Sequence, residues 1–146
     1  MSLKRISPEE AHELVTDGGY AYLDVRSVPE YEAGHPTGAF NIPLMHRGAA
    51  GMEPNPAFAD VVQGVFPKDA KLVLGCQGGG RSKRAAEMLL GLGYTNVVDQ
   101  RAGFLGSKDP FGKVSEPGWQ PKGLPVTPGL ASIKIDMGGG CFVLPQ

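Results

Sequence analysis

The chain has 146 residues, 41% hydrophobic and 20% charged, with 14 Lys and Arg against 15 Asp and Glu for a net charge of -1. That length suits one ordinary domain and excludes two independent substrate domains, and the composition is that of a folded, soluble protein. A nearly balanced charge gives no long-range pull toward nucleic acid or an anionic membrane, and no run of about 18 apolar residues could span a bilayer.

Ser7, Pro8 and Glu10 have the order of a capped helix start, predicting a helix over 8–16. After Gly18 and Gly19, YAYLDV reads as a buried strand ending on Asp24 and Arg26. One helical turn is expected over 29–33, a brief strand over 39–42, and a helix over 56–66 with Phe58, Val61, Val62 and Val65 on one face. In KLVLGCQGGGRSKRAAEMLLGLGY a strand over 72–74 runs into a glycine-rich loop and then a helix starting near Ser82. TNVVDQ follows as another short strand. Strands alternating with helices predict an α/β fold, a central mostly parallel sheet with helices on both faces, whose functional edge is the carboxyl end of the strands. Glycine and proline crowd residues 102–146, so that region is expected to be loop-rich.

Cys76 stands at the end of the third predicted strand. The thiolate is the reactive form of cysteine, so a nucleophilic Cys needs surroundings that favour negative charge. Gln77, Gly78, Gly79 and Gly80 can turn backbone N–H groups toward one centre, because the glycines have no side chains in the way. The helix beginning near Ser82 aims its N-terminus at the same spot, and Arg81 adds a permanent charge. A buried, inert cysteine is the bland alternative, but it would not need an anion cradle between itself and a helix N-terminus. The two cysteines are too few for a disulfide scaffold and lack zinc-site spacing, so neither metal nor cofactor is expected. With no signal-like apolar core near the first residue, a cytoplasmic location is expected; an organellar chain whose transit peptide has been removed would read the same.

CQGGGRS resembles the active-site loop of the rhodanese family, and LDVRSVPEYEAGH is similar to that family's first signature. GAFNIP follows in order, with Pro36-Thr37 where the family more often has Ile-Pro. The resemblance covers roughly residues 5–126, taken as one rhodanese domain, and leaves 127–146 as a C-terminal extension. LMHRGAAGMEPNPAFADVV further resembles small single-domain rhodaneses of plants and bacteria. The resemblance implies a thiosulfate sulfurtransferase in which Cys76 carries sulfane sulfur as a persulfide from a donor such as thiosulfate to cyanide or a thiol acceptor. The segment Gln77 to Ser82 would form the substrate and anion loop. Arg81 would either steer the anion or lock the loop through Asp24 or Glu30. Asp24 and Arg26, at the predicted strand end, could order the loop or simply pair with each other or with solvent. Lys83 and Arg84 read as solvated helix charges and His35 as a structural residue.

Two other readings share these residues. A protein-specific persulfide carrier or docking module would use the same cysteine with a protein as sulfur acceptor. A cysteine phosphatase or arsenate reductase would also pair Cys with Arg, but its loop has five intervening residues where Cys76 and Arg81 enclose four, and no general-acid Asp segment is identifiable. Trp119, Gly123, Leu124 and Pro125 match the family's ending, whereas RAGF replaces its usual Gly-Gly. The long FLGSKDPFGKVSEPG connection is expected to reshape the pocket rim or set partner choice. SIKID and MGGGCFVLP are open between an extra edge strand, an oligomer contact and a tail, and Cys141 between an idle thiol, a sulfur acceptor and a disulfide partner of Cys76.

Overall fold

The structure, a computed structural model, describes residues 3–49, 51–129, 134–136 and 141–143. The chain order is β1 (Lys4–Ile6), α1 (Pro8–Asp17), β2 (Ala21–Asp24), α2 (Val28–Ala33), β3 (His35–Pro36) and β4 (Phe40–Asn41). It continues with β5 (Met45–Gly48), β6 (Gly51–Pro54), α3 (Phe58–Val65), β7 (Lys71–Gly75), α4 (Gly80–Gly91) and β8 (Asn96–Gln100). The remainder is β9 (Gly106–Lys108), β10 (Val114–Pro117), β11 (Val126–Thr127), β12 (Lys134–Asp136) and β13 (Cys141–Val143).

Among the described residues the main sheet has the order β1-β8-β7-β2-β4-β13-β12. The pairings from β1 to β4 are parallel and those of β13 with β4 and β12 are antiparallel, so the sheet is mostly parallel as expected. Its central strands are buried on both faces, and alternation sends their side chains to two cores. Leu23, Leu72, Leu74 and Val97 pack with Phe58 and Val62 of α3 and Ala85 and Leu89 of α4. Tyr22, Val73 and Val98 face the other way, onto Ala11 of α1, Tyr31 of α2 and Trp119. Helices therefore cover both faces, the α/β class read from the alternating elements.

The start of α1 forms as its residues dictate: Ser7 Oγ accepts from Glu10 N at 3.1 Å and Glu10 Oε1 accepts from Ser7 N at 3.0 Å. Two features differ from the sequence reading, the start of the fourth helix and strands it does not include. The helix after the glycines begins at Gly80, not near Ser82, because Gly79 at φ +102° turns the chain straight into the first helical turn. Residues 102–129 are loop-rich, as their glycine and proline content suggests, with short strands set among turns. β9 and β10 form an antiparallel hairpin whose turn is built by Asp109, its Oδ1 accepting from Phe111 N and Lys113 N at 2.9 and 3.0 Å. β1 and the β5–β6 hairpin are strands the sequence pattern does not announce, being short segments without apolar alternation.

Of the readings for the last residues, backbone pairing favours edge strands: β12 pairs with β13, and Val143 of β13 pairs with Asn41 of β4. The role of Cys141 rests on a side chain outside the described residues.

Candidate active site

Cys76 follows β7 directly and is 2% exposed. Parallel strands deliver it, Asp24 at the end of β2 and Gln100 at the end of β8 to one edge of the sheet, the edge where crossover loops leave room for a site. Gly79 N–H donates to Cys76 Sγ at 3.0 Å. Gly79 also caps α4, whose first N–H groups have no carbonyl partner within the helix. A Cβ on Gly79 would run into the Arg101 carbonyl oxygen, so both its space and its positive φ require glycine.

The outer side of the loop is held from β8. Gln100 Oε1 accepts from Ala102 N and Gly103 N, both at 2.9 Å, and this tight turn returns the chain to the loop. Phe104 N then donates to the Cys76 carbonyl at 2.7 Å and Leu105 N to the Gln77 carbonyl at 3.1 Å. Here RAGF performs the approach that a Gly-Gly pair would make: Gly103, at φ +72°, lies so close to the Gln77 backbone that a Cβ would collide with it.

The inner side is held from β2. Arg26 is 2% exposed and its Nη2 meets Asp24 Oδ2 at 2.8 Å. The same guanidinium donates to the Gly34 carbonyl at 2.6 Å and to Gln77 Oε1 at 2.9 Å, and it stacks over the Phe104 ring at 4.3 Å. Of the three sequence alternatives the structure sets solvent aside and joins the other two, since Asp24 and Arg26 are buried, pair with each other, and Arg26 reaches the loop. His35 is structural, as read: it is stacked on Tyr31 at 3.6 Å and its Nδ1–H donates to the Tyr31 carbonyl at 2.8 Å.

Arg81 binds Glu30 with both terminal nitrogens, at 2.7 and 2.9 Å, so Glu30 is the carboxylate that receives it. Glu30 is itself the closing residue of the α2 capping box with Ser27. Burial pushes the Glu30 carboxyl up, but the Arg81 and Ser27 hydrogen bonds prevail and hold it down at about 2. Because this lies below the ordinary carboxylate value, the pair's stabilisation is complete above about pH 4.5 and is lost as pH falls toward 2. Glu30→Gln is expected to cost about 1–3 kcal/mol at neutral pH, the scale of a hydrogen bond to a charged group. Urea unfolding compared at about pH 7 and about pH 3 checks this, the wild type losing more stability on acidification than the variant. Equal losses would remove Glu30 from the account.

Ser82 is buried, with its hydroxyl on the Gly79 carbonyl at 3.4 Å. Gln77 is held by Arg26, and Gly78 and Gly80 are exposed on the loop's outer surface. Lys83 is exposed, and Arg84 lies against Met45 Sδ at 3.5 Å. The loop is flanked by two depressions. One of about 370 Å³ is lined by Arg26, Glu30, Gly34, Gln77, Phe104 and Leu105. The other, about 300 Å³, includes Arg5, Gly78, Gly80, Lys83, Arg101 and Glu116. Among the described residues no group of three or more His, Cys, Asp or Glu is gathered to hold a metal ion.

Sequence reasoning passes over Arg5, Asp99, Gln100 and Phe104. The available signal was the polar pair Asp99 and Gln100 at the end of an apolar strand, both fully buried here. Nothing in the sequence pattern marks Arg5.

Comparison with known proteins agrees with this geometry. A family model, Rhodanese-like domain, matches residues 7–108. The chain is 43% identical over 99 residues to thiosulfate sulfurtransferase 16, chloroplastic, of Arabidopsis thaliana, covering 68% of this chain and 82% of that protein. It is 41% identical over 91 residues to rhodanese-like domain-containing protein 15, chloroplastic, of the same plant, covering 62% of this chain and 50% of that relative's length. The crystal structure of Rv0390 from M. tuberculosis superposes with a TM-score of 0.72 at 26% identity, covering 88% of this chain and 100% of that one. With the strand order, the cysteine loop and these likenesses in agreement, the chain belongs to the rhodanese-like sulfurtransferase family.

Proposed function

We propose that the chain is a thiosulfate sulfurtransferase that carries sulfane sulfur on Cys76. The observation that carries this reading is the Gly79 N–H on Cys76 Sγ at 3.0 Å, at the N-terminus of α4. A donor and a positive helix end at that position favour negative charge on sulfur, first the thiolate and then the persulfide anion. The thiolate attacks the outer sulfur of thiosulfate; a bond forms between Sγ and that sulfur, the thiosulfate S–S bond breaks, and sulfite leaves with the electron pair. Cyanide carbon, or a thiolate acceptor, then takes the terminal sulfur and the bonding pair returns to Cys76. No metal, cofactor or external redox partner enters the balance.

In this scheme Arg26 and Gln77 keep the inner wall in place and Arg81 clamps the loop to Glu30, leaving the backbone at Gln77 to Gly80 to meet the anion. Intact mass after thiosulfate and then cyanide tests the reading. One sulfur should be gained and then removed, unchanged in Cys141→Ser; no gain in wild type would overturn it.

A protein acceptor is the second reading, supported by the β9–β10 hairpin. Its base is joined to Gln77, and its tip, beyond the part that matches the family, carries Phe111 at 94% exposed between the exposed Lys108 and Lys113. An aromatic so exposed beside cations suits a partner with an apolar, acidic surface. Phe111→Ser is expected to leave transfer from thiosulfate to cyanide unchanged while slowing transfer to reduced dithiol proteins by roughly fivefold, the scale of one interface contact. Equal rates with both acceptors would dismiss the hairpin as a contact. Among the described residues no helix is long and apolar enough to cross a membrane. The chloroplastic relatives support the organellar setting that the sequence reading allows, and not the cytoplasmic one it expects first.

A further inference from the structure

We propose that Arg5 is a positioning residue for Cys76, holding the Gly79 carbonyl so that the same residue's N–H, in the preceding peptide plane, stays aimed at the sulfur. The inference rests on Cys76 being the reacting residue.

Arg5 lies in β1 and Asp99 in β8, direct partners in the parallel register. Alternation puts both on the face covered by α4, since Leu3 and Val97, two residues before each, pack in that core. Arg5 Nε donates to Asp99 Oδ2 at 2.7 Å, and its Nη2 reaches on to the Gly79 carbonyl at 3.2 Å. Gly79 at φ +102° has no side chain to fix its conformation. Its carbonyl, in the peptide plane shared with Gly80, is held by Arg5, and its N–H, in the plane shared with Gly78, points to Cys76 Sγ; with the first plane fixed, the second can swing only about the Gly79 φ and ψ. Lys83 N donates to the same carbonyl at 3.3 Å as the first closed turn of α4 and the Ser82 hydroxyl lies on it at 3.4 Å, both from α4 itself; the planar guanidinium adds a third donor, the one that reaches it from β1.

Asp99 explains why the guanidinium stays in place. Its carboxylate is fully buried, and among the described residues Oδ1 has no hydrogen-bond partner. Burial pushes the carboxyl above its ordinary range, with the Ser82 hydroxyl and then Arg5 pulling against it. An apolar residue would serve the fold better at this position, so a buried acid here is most economically explained by what it holds. Since Asp99 offsets the charge of Arg5, the influence on Cys76 passes through the orientation of Gly79 and not through a free positive charge.

Alkylation of Cys76 by iodoacetamide as a function of pH, in a Cys141→Ser background, tests this. It reads the thiol itself whether or not sulfur transfer occurs, so failure of the sulfurtransferase reading and failure of this one are separable. In Arg5→Gln the rate–pH curve should move up by about one unit, so that the rate on its rising limb falls by up to about tenfold, with the high-pH plateau unchanged. Arg5→Lys should recover less than half of the shift, because an ammonium lacks the fork that joins Asp99 to Gly79. Lys83→Gln, which removes an exposed charge on the same rim, should leave the curve where it is. If Arg5→Gln does not fold by circular dichroism, Asp99→Asn, which releases the guanidinium from its anchor, should give the same upward shift. A wild-type curve in Arg5→Gln or in its substitute Asp99→Asn, full recovery in Arg5→Lys, or an equal shift in Lys83→Gln would overturn the proposal.

Discussion

Cys76→Ser is expected to lose thiocyanate formation from thiosulfate and cyanide by at least roughly 10³-fold, to the background of the reagents, because covalent transfer has lost its nucleophile. The hydroxyl would occupy the place of the thiol and still accept from Gly79 N, so the cradle remains while the chemistry stops. A serine proton is not released at neutral pH, and an oxygen in that position forms no persulfide. Stability should change by no more than about 1 kcal/mol, since the substitution alters little volume and leaves a hydrogen-bond partner in place. Turnover, intact mass after thiosulfate and the urea midpoint together decide the matter. Lost turnover with a wild-type midpoint assigns the sulfur to Cys76. Retention of a tenth of the activity would put the nucleophile elsewhere.

The same contrast between chemistry and support explains what could be read before the structure. Cys76, its glycines and the helix behind them lie within seven consecutive residues, and local physics suffices to join them. Both cores were also legible, because Leu72 and Leu74 alternate with Val73 and the apolar positions of α3 repeat with the helix. The supports of the loop come from far along the chain. Arg26 meets Gln77 across 51 residues, Arg81 meets Glu30 across 51, and Arg5 meets Gly79 across 74. Such contacts depend on strand order, which periodicity does not encode. The sequence leaves Arg81 between two carboxylates because Asp24 ends β2 and Glu30 stands only six residues on. The structure separates them by giving Asp24 to the buried Arg26 and leaving Glu30, at the start of α2, open to the loop. RAGF was legible only as a departure, since the turn it makes depends on Gln100, whose side chain bonds the two backbone N–H groups that follow.

Arg26→Met should cost about 3–5 kcal/mol, because removing one partner of a buried ion pair leaves the other charge uncompensated. Asp24 would keep the Arg26 backbone N–H at 3.0 Å but lose every guanidinium contact, in surroundings where it is 1% exposed. The Gly34 carbonyl and Gln77 Oε1 would lose donors as well, and Phe104 the cation stacked on its ring. A loss of that size is a large part of the 5–15 kcal/mol, roughly, that holds an ordinary domain together. The charge explanation can be isolated by adding Asp24→Asn to Arg26→Met, which removes the stranded carboxylate while nearly keeping its shape. Urea unfolding should then return at least half of the lost stability. Sulfur transfer per folded molecule should stay low in both variants, since neither restores the bond to Gln77. Recovery of stability without recovery of transfer would separate the two duties of Arg26, neutralising Asp24 and holding the loop. If the double variant is no more stable than Arg26→Met, the cost lies in lost packing and hydrogen bonds, and the stranded charge is not its source.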